Sequence, residues 1–165
     1  MAIKTMEDLF IHELSDIYSA EKQLTKALPR LARAASNPEL VAAFETHLEE
    51  TQGQVERIDQ VVEVLGIKLK RIKCAAMEGL VEEGKEVIEE VEKGPVRDAA
   101  LIGGAQKVEH YEIASYGTIA ALAKQLGYKD ALPLLLETLQ EEKATDEKLT
   151  LIAKSSGGAQ AAKAA

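Results

Sequence analysis

Three glutamates stand in this chain at positions where a helical bundle calls for leucine, and a fourth lies beside them. In the series Phe10, Leu14, Ile17, Glu21, Leu24, Leu28, Leu31 the steps alternate between four and three, the spacing of a buried helical seam, and Glu21 sits inside it. Glu112 does the same in Ile102, Ala105, Glu109, Glu112, Tyr116, Ile119, Ala123, Leu126, and Glu142 in Leu135, Leu139, Glu142, Asp146, Leu149; Glu50 lies at the edge of another seam. A buried carboxylate is costly unless positive charge compensates it. One seam glutamate could pair with a nearby cation, for which Arg57 and Lys143 are placed. For a cluster, a pair of bound metal ions is the simplest source of charge.

The elements that must position these groups are helices. The chain has 165 residues, 46% hydrophobic and 29% charged but only 4% aromatic, enough for one domain with its own core. Thr5 and Asp8 form a capping-box start for a helix running to about Ala35, with a kink expected at Pro29. Asn37 and Pro38 open a second helix that ends at Gly66. A basic connector over 67–73 leads to a shorter helix carrying Met77, Val81, Ile88 and Val91, stopped by Gly94 and Pro95. The next helix spans about Val96 to Leu126, and the last, capped by Asp130, continues to about Lys154. Residues 1–154 thus form a helical bundle, and 155–165, lacking an apolar face, form a disordered tail. Two antiparallel hairpins joined by a long crossover with a short extra helix describe an all-α, ferritin-like four-helix bundle.

Hairpin geometry tests whether the acids meet. Folding the first hairpin about Asn37 sets Glu21 opposite residue 53, between Glu50 and Gln54; folding the second about Tyr128 sets Glu112 opposite residue 144, between Glu142 and Asp146. Glu21, Glu50, Glu112 and Glu142 are therefore the expected metal ligands. The usual dimetal motif of such bundles, Glu-x-x-His, is missing: Gly53 follows Glu50 at that spacing and Thr145 follows Glu142. Gln54 and Asp146 are the better oxygen substitutes, making a hard site suited to manganese, iron(III) or magnesium rather than zinc. His47 and His110 are read as hydrogen-bonded support or interface groups with some capacity to ligate, and Glu109 as an exposed or interface acid and possible extra ligand. Tyr116 is read as core packing, with a phenol able to supply a proton near a redox metal.

Charge and composition exclude other classes. With 28 acidic and 20 basic residues the net charge is -8, which disfavours nucleic acid and anionic membrane surfaces. No apolar run approaches a membrane span and no signal peptide is apparent. The single Cys74 suits a reducing, cytoplasmic setting and is read as a small buried hydrophobe. The apolar stripe of the crossover helix must be covered, either by the bundle end or by a second subunit, and a homodimer is expected.

The segments IHELSDIYSAEKQL (11–24), HLEETQGQVERI (47–58), RIKCAAMEGL (71–80), VRDAALIGGAQKVEHYEIASYGTIAALAKQLGY (96–128) and LLETLQEEKATDEKLT (135–150) closely resemble the YciE/YciF family of bacterial stress proteins. The resemblance runs from Thr5 to about Leu151. It implies a ferritin-like bundle, a homodimer, and similarity to rubrerythrins and other dimetal carboxylate proteins, with Glu21, Glu50, Glu112 and Glu142 alone in matching roles. Two functions follow as expectations. One is a dimetal, iron or manganese, redox protein acting on peroxide or on iron; the other is a non-enzymatic dimeric stress protein whose site is structural or degenerate.

Overall fold

The computed structural model describes residues 2–164, with side chains described as far as Ser155. It contains five helices: α1 (Met6–Ala34), α2 (Pro38–Leu65), α3 (Ala75–Glu90), α4 (Pro95–Gln125) and α5 (Leu132–Ala164). The last helix, expected to stop near Lys154, runs on to Ala164, so the expected tail is helical over 155–164; the side chains beyond Ser155 lie outside the described ones.

Local chemistry sets most boundaries. The Thr5 hydroxyl accepts from the Asp8 amide while the Asp8 carboxylate accepts from the Thr5 amide, closing the capping box of α1. Pro29 lies within α1, which continues as helix to Ala34. Asn37 caps α2 through the Glu39 amide, Pro38 occupies its first turn, and Gly66 ends it in the left-handed region at φ 62°. Asp130, expected to cap α5, instead lies in the turn before it, because α5 starts two residues later at Leu132.

α1 packs along α2 and α4 along α5, while the α2/α5 and α1/α4 contacts close the ring of four. The core includes Phe10, Leu14, Ile17, Leu28, Phe44, Ile58, Ile119 and Leu135, all essentially buried, with Tyr128 edge-on to Phe10 at 5.2 Å. After α2 the chain returns along α1. Ser15 Oγ accepts from the Lys70 amide at 2.9 Å, Ser19 Oγ accepts from the Cys74 amide at 2.9 Å, and Gln23 donates to the Cys74 carbonyl at 3.1 Å. Polar side chains on α1 thus satisfy a connector that has no helical bonds of its own.

α3 then lies over α1 and α4, so the apolar stripe of the crossover is covered mainly by its own bundle: Met77 is fully buried and Val81, Ile88 and Val91 half-buried. Arg97 donates to the carbonyls of Ile88 and Val91, closing the end of α3. At the start of α4, Asp98 accepts from the amides of Ser36 and Asn37, both at 2.8 Å. α4 therefore begins at the end of the bundle where α2 begins, the arrangement a full-length crossover requires.

Candidate metal centre

Each long helix sends a polar group into the middle of this apolar bundle. Glu21 of α1, Glu112 of α4 and Glu142 of α5 are all 0% exposed, and His47 of α2 is 4% exposed. His47, Glu109, Glu112 and Glu142 each offer a ligating atom, and these atoms lie within 4.8 Å of one another. Glu21 stands beside them, its Oε1 accepting from the Tyr116 hydroxyl at 2.6 Å. Tyr116 is itself fully buried, so its phenol serves the site as well as the core.

The satisfied bonds are few. Both carboxylate oxygens of Glu112 and both of Glu142 are buried without a hydrogen-bond partner, as are Glu21 Oε2, Glu109 Oε2 and Gln54 Oε1. His47 Nε2 lies 2.7 Å from Glu109 Oε1 but not in the alignment of a hydrogen bond. Among the described residues no lysine or arginine pairs with any of these acids. Arg57 is engaged by Glu137 and Glu141 instead, and Lys143 is exposed. Ion pairing with those two residues is thereby removed as an account of the seam glutamates.

The electrostatic consequence is strong proton retention. Burial, followed by the neighbouring Glu142, pushes Glu21 up to about 8. Burial together with the other acids also raises Glu112 and Glu142 well above the usual carboxylate range. Burial pulls the His47 imidazole down, but its contacts with Glu109 and Glu50 outweigh that and leave it well above its ordinary value. Metal-free, the pocket therefore holds protons where cations would neutralise the same carboxylates.

Other candidate residues occupy different surroundings. Glu50 is half-buried at the rim, where Oε2 accepts from the Thr145 hydroxyl at 3.2 Å and lies 3.7 Å from His47 Nδ1. The adjacent histidine holds its carboxyl below the ordinary value. Gln54 is fully buried; its amide donates to Glu141 at 3.3 Å and its carbonyl oxygen is unpaired. Asp146 and His110 sit together away from the buried acids, Oδ2 to Nε2 at 3.1 Å, with His110 largely exposed and Gln106 donating to Asp146 at 3.3 Å.

Asp146, expected as an oxygen donor to the metals, is instead engaged by His110 and Gln106, and two further expectations change with these positions. Glu109, read as an exposed or interface acid, is 1% exposed and faces His47. His47, read as a hydrogen-bonded support or interface group with some capacity to ligate, belongs to the innermost group. The signal for Glu109 was its place in the same buried series as Glu112. For His47 it was the three-residue spacing to Glu50, which reverses the order of the missing motif. Thr145, which stands where the usual motif has histidine, donates to Glu50 and orients it.

A model of the family described as a domain of unknown function, DUF892, matches residues 5–162. The chain belongs to this family. Among curated proteins, protein YciF of Escherichia coli (strain K12) is 70% identical over 154 residues, 93% of each chain. The fold of this chain agrees closely with the crystal structure of the E. coli stress protein YciF, at TM-score 0.92 and 68% identity over 94% of this chain and 99% of that one. It also agrees with YcfI of Rhodopseudomonas palustris, at TM-score 0.87 and 49% identity over 90% and 94%.

Proposed function

We propose that this protein is a bacterial stress-response protein whose ferritin-like bundle holds a carboxylate-rich centre for two metal ions, iron or manganese, used against peroxide or in iron detoxification. The observation that carries the reading is the full burial of Glu112 and Glu142 with all four carboxylate oxygens unpaired. Unpaired buried acids from separate helices are a donor set that fits hard cations, whose positive charge would offset their desolvation. The stress association is supported by the likeness to E. coli YciF, a stress protein.

Glu21, Glu112 and Glu142 would hold the ions with His47 and Glu109, and Glu50 would complete the set from the rim, with Gln54 in reach as a neutral oxygen donor. When bound, a redox-active pair supplies electrons to an oxidant. The chain's own residues do the rest. The apolar seams exclude water, Tyr116 holds a proton at Glu21 Oε1, and Thr145 fixes the orientation of Glu50. A carboxylate that can hold a proton or a metal absorbs the change in charge between oxidation states without a new cation entering.

The protein would act as a cytoplasmic homodimer, the dimer being supported by Val96, 73% exposed, with half-buried Val91 near it in the chain. Among the described residues no helix is long and apolar enough to cross a membrane. Elemental analysis of protein purified without chelators, followed by peroxide consumption, tests the function. About two redox-active ions per chain with turnover are expected. Metal retained without peroxide chemistry would favour a structural site, and no bound metal at all would overturn the dimetal reading and leave the non-enzymatic protein with a degenerate site. Sedimentation at micromolar concentration tests the dimer.

A further inference from the structure

A cavity of about 90 Å³ lies beneath α3 and reaches inward to the buried acids. Its walls are apolar, among them Leu24, Leu28, Phe44 and Leu101. At one end are His47 and Glu109, 4% and 1% exposed, with Glu109 Oε2 unpaired. At the other are two exposed residues, Glu83 of α3 and Lys107 of α4, whose side chains approach to 4.0 Å across the mouth. So weak and solvated a pair is no barrier to opening.

Small residues keep the space clear. A Cβ built on Gly104 meets nothing within 4 Å, whereas one on Gly84 meets Leu31 at 3.6 Å, ordinary contact. Gly84 is thus a point of close packing between α3 and α1, and Gly104 leaves room unfilled. Close-packed interiors seldom leave such voids, and voids lined by apolar groups stay dry and take apolar guests; one of about 150 Å³ accepts benzene or xenon.

We propose that this cavity binds a small uncharged apolar molecule of about the size of xenon or dioxygen, and delivers it to His47 and Glu109. The enclosed volume is that of a small molecule, and between the Glu83–Lys107 pair at the mouth and His47 and Glu109 at the inner end the walls are mainly apolar. An apolar oxidant would thereby reach the acids without accompanying water. That an occupant meets a metal there rests on the metal-centre reading; occupancy of the cavity does not.

The test is methyl NMR on EDTA-treated full-length protein under pressurised dioxygen, whose paramagnetism speeds relaxation of nearby methyls, with xenon as a diamagnetic probe of shift. Methyls of Leu24, Leu28 and Leu101 should relax several-fold faster than those of Leu14 and Leu135, which are buried away from the cavity. Gly104→Leu should fill the space and abolish that contrast, and Gly104→Ala, which adds one methyl without a clash, should reduce it even if the larger variant does not fold. Uniform relaxation across the core, or a contrast unchanged in Gly104→Ala, would overturn the proposal. Because the protein is metal-free throughout, failure here is distinct from failure to find bound metal.

Discussion

Glu141 and Glu142 are neighbours in α5 and have opposite fates. Glu141 meets Arg57 at 2.6 Å, with Thr138 hydrogen-bonded to the same guanidinium and Glu137 within 3.2 Å, so its charge is neutralised by the chain itself. Glu142, about 100° further round the helix, enters the core with no such partner. The side chain of Glu141 is 28% exposed and that of Glu142 lies among other acids. The fold thus provides a cation where solvent already assists and none where the need is greatest. A carboxylate left in that condition is kept for something other than stability.

Substitution should separate the two regions most sharply. Glu112→Gln removes an inner charge and should weaken metal binding by more than about 100-fold, beyond the loss typical of groups that merely support a ligand. The metal-free variant should nevertheless be at least as stable as the metal-free parent, since the change relieves repulsion. Competition with a chelator gives the affinity and thermal melts in EDTA the stability; a large loss of stability that EDTA does not alter would remove Glu112 from the metal centre. Arg57→Met should do the reverse. It leaves Glu137 and Glu141 without their shared cation and should cost about 2 kcal/mol, less than for a fully buried pair, equally with and without metal. Denaturant titrations in both conditions measure it.

The inner acids should also respond to pH. Glu21, Glu112 and Glu142 have folded-state pKa values above the unfolded value near 4.5, with Glu21 at about 8. Between those limits the folded protein binds more protons than the unfolded chain, so metal-free stability should fall as pH rises from about 5 to 8. His47, also raised, acts in the same direction above its unfolded value near 6.5, whereas lowered Glu50 acts oppositely only at acid pH. Melts across this range should slope downward in EDTA and flatten with manganese or iron, because metal replaces the protons. The smallest effect belongs to the exposed pair: His110→Ala should change stability by no more than about 0.5 kcal/mol and leave metal content unaltered.

Much of this was legible in the sequence because helical periodicity reports burial directly. The interrupted seams located Glu21, Glu112 and Glu142, and capping residues placed Thr5, Asn37 and Gly66. What periodicity does not report is direction within a face. Glu109 and Asp146 each lie one turn from a seam glutamate, yet Glu109 faces His47 while Asp146 turns to His110 and Gln106. The choice depends on which neighbouring helix lies across the gap. Spacing also gave no sign that Asp16 and Tyr111 would meet at 2.5 Å with Cys74 Sγ 3.2 Å from the same phenol, since that contact joins residues far apart in the chain.

The bond from Asp98 to the turn between α1 and α2 fixes the origin from which α4 is measured. From Asp98 to Glu112 is about 21 Å of helix, and one added turn would carry Glu112 about 5.4 Å past its partners. The crossover lies outside that measure. Loop residues inserted between Gly66 and Cys74 would lengthen the path around the bundle while leaving the level of every inner acid unchanged. Insertions between Asp98 and Glu112 have no such freedom. The helical stretches that lead from the α1/α2 turn to the inner groups thus behave as rulers, and the one in α4 is read from an aspartate far in sequence from the turn it grips.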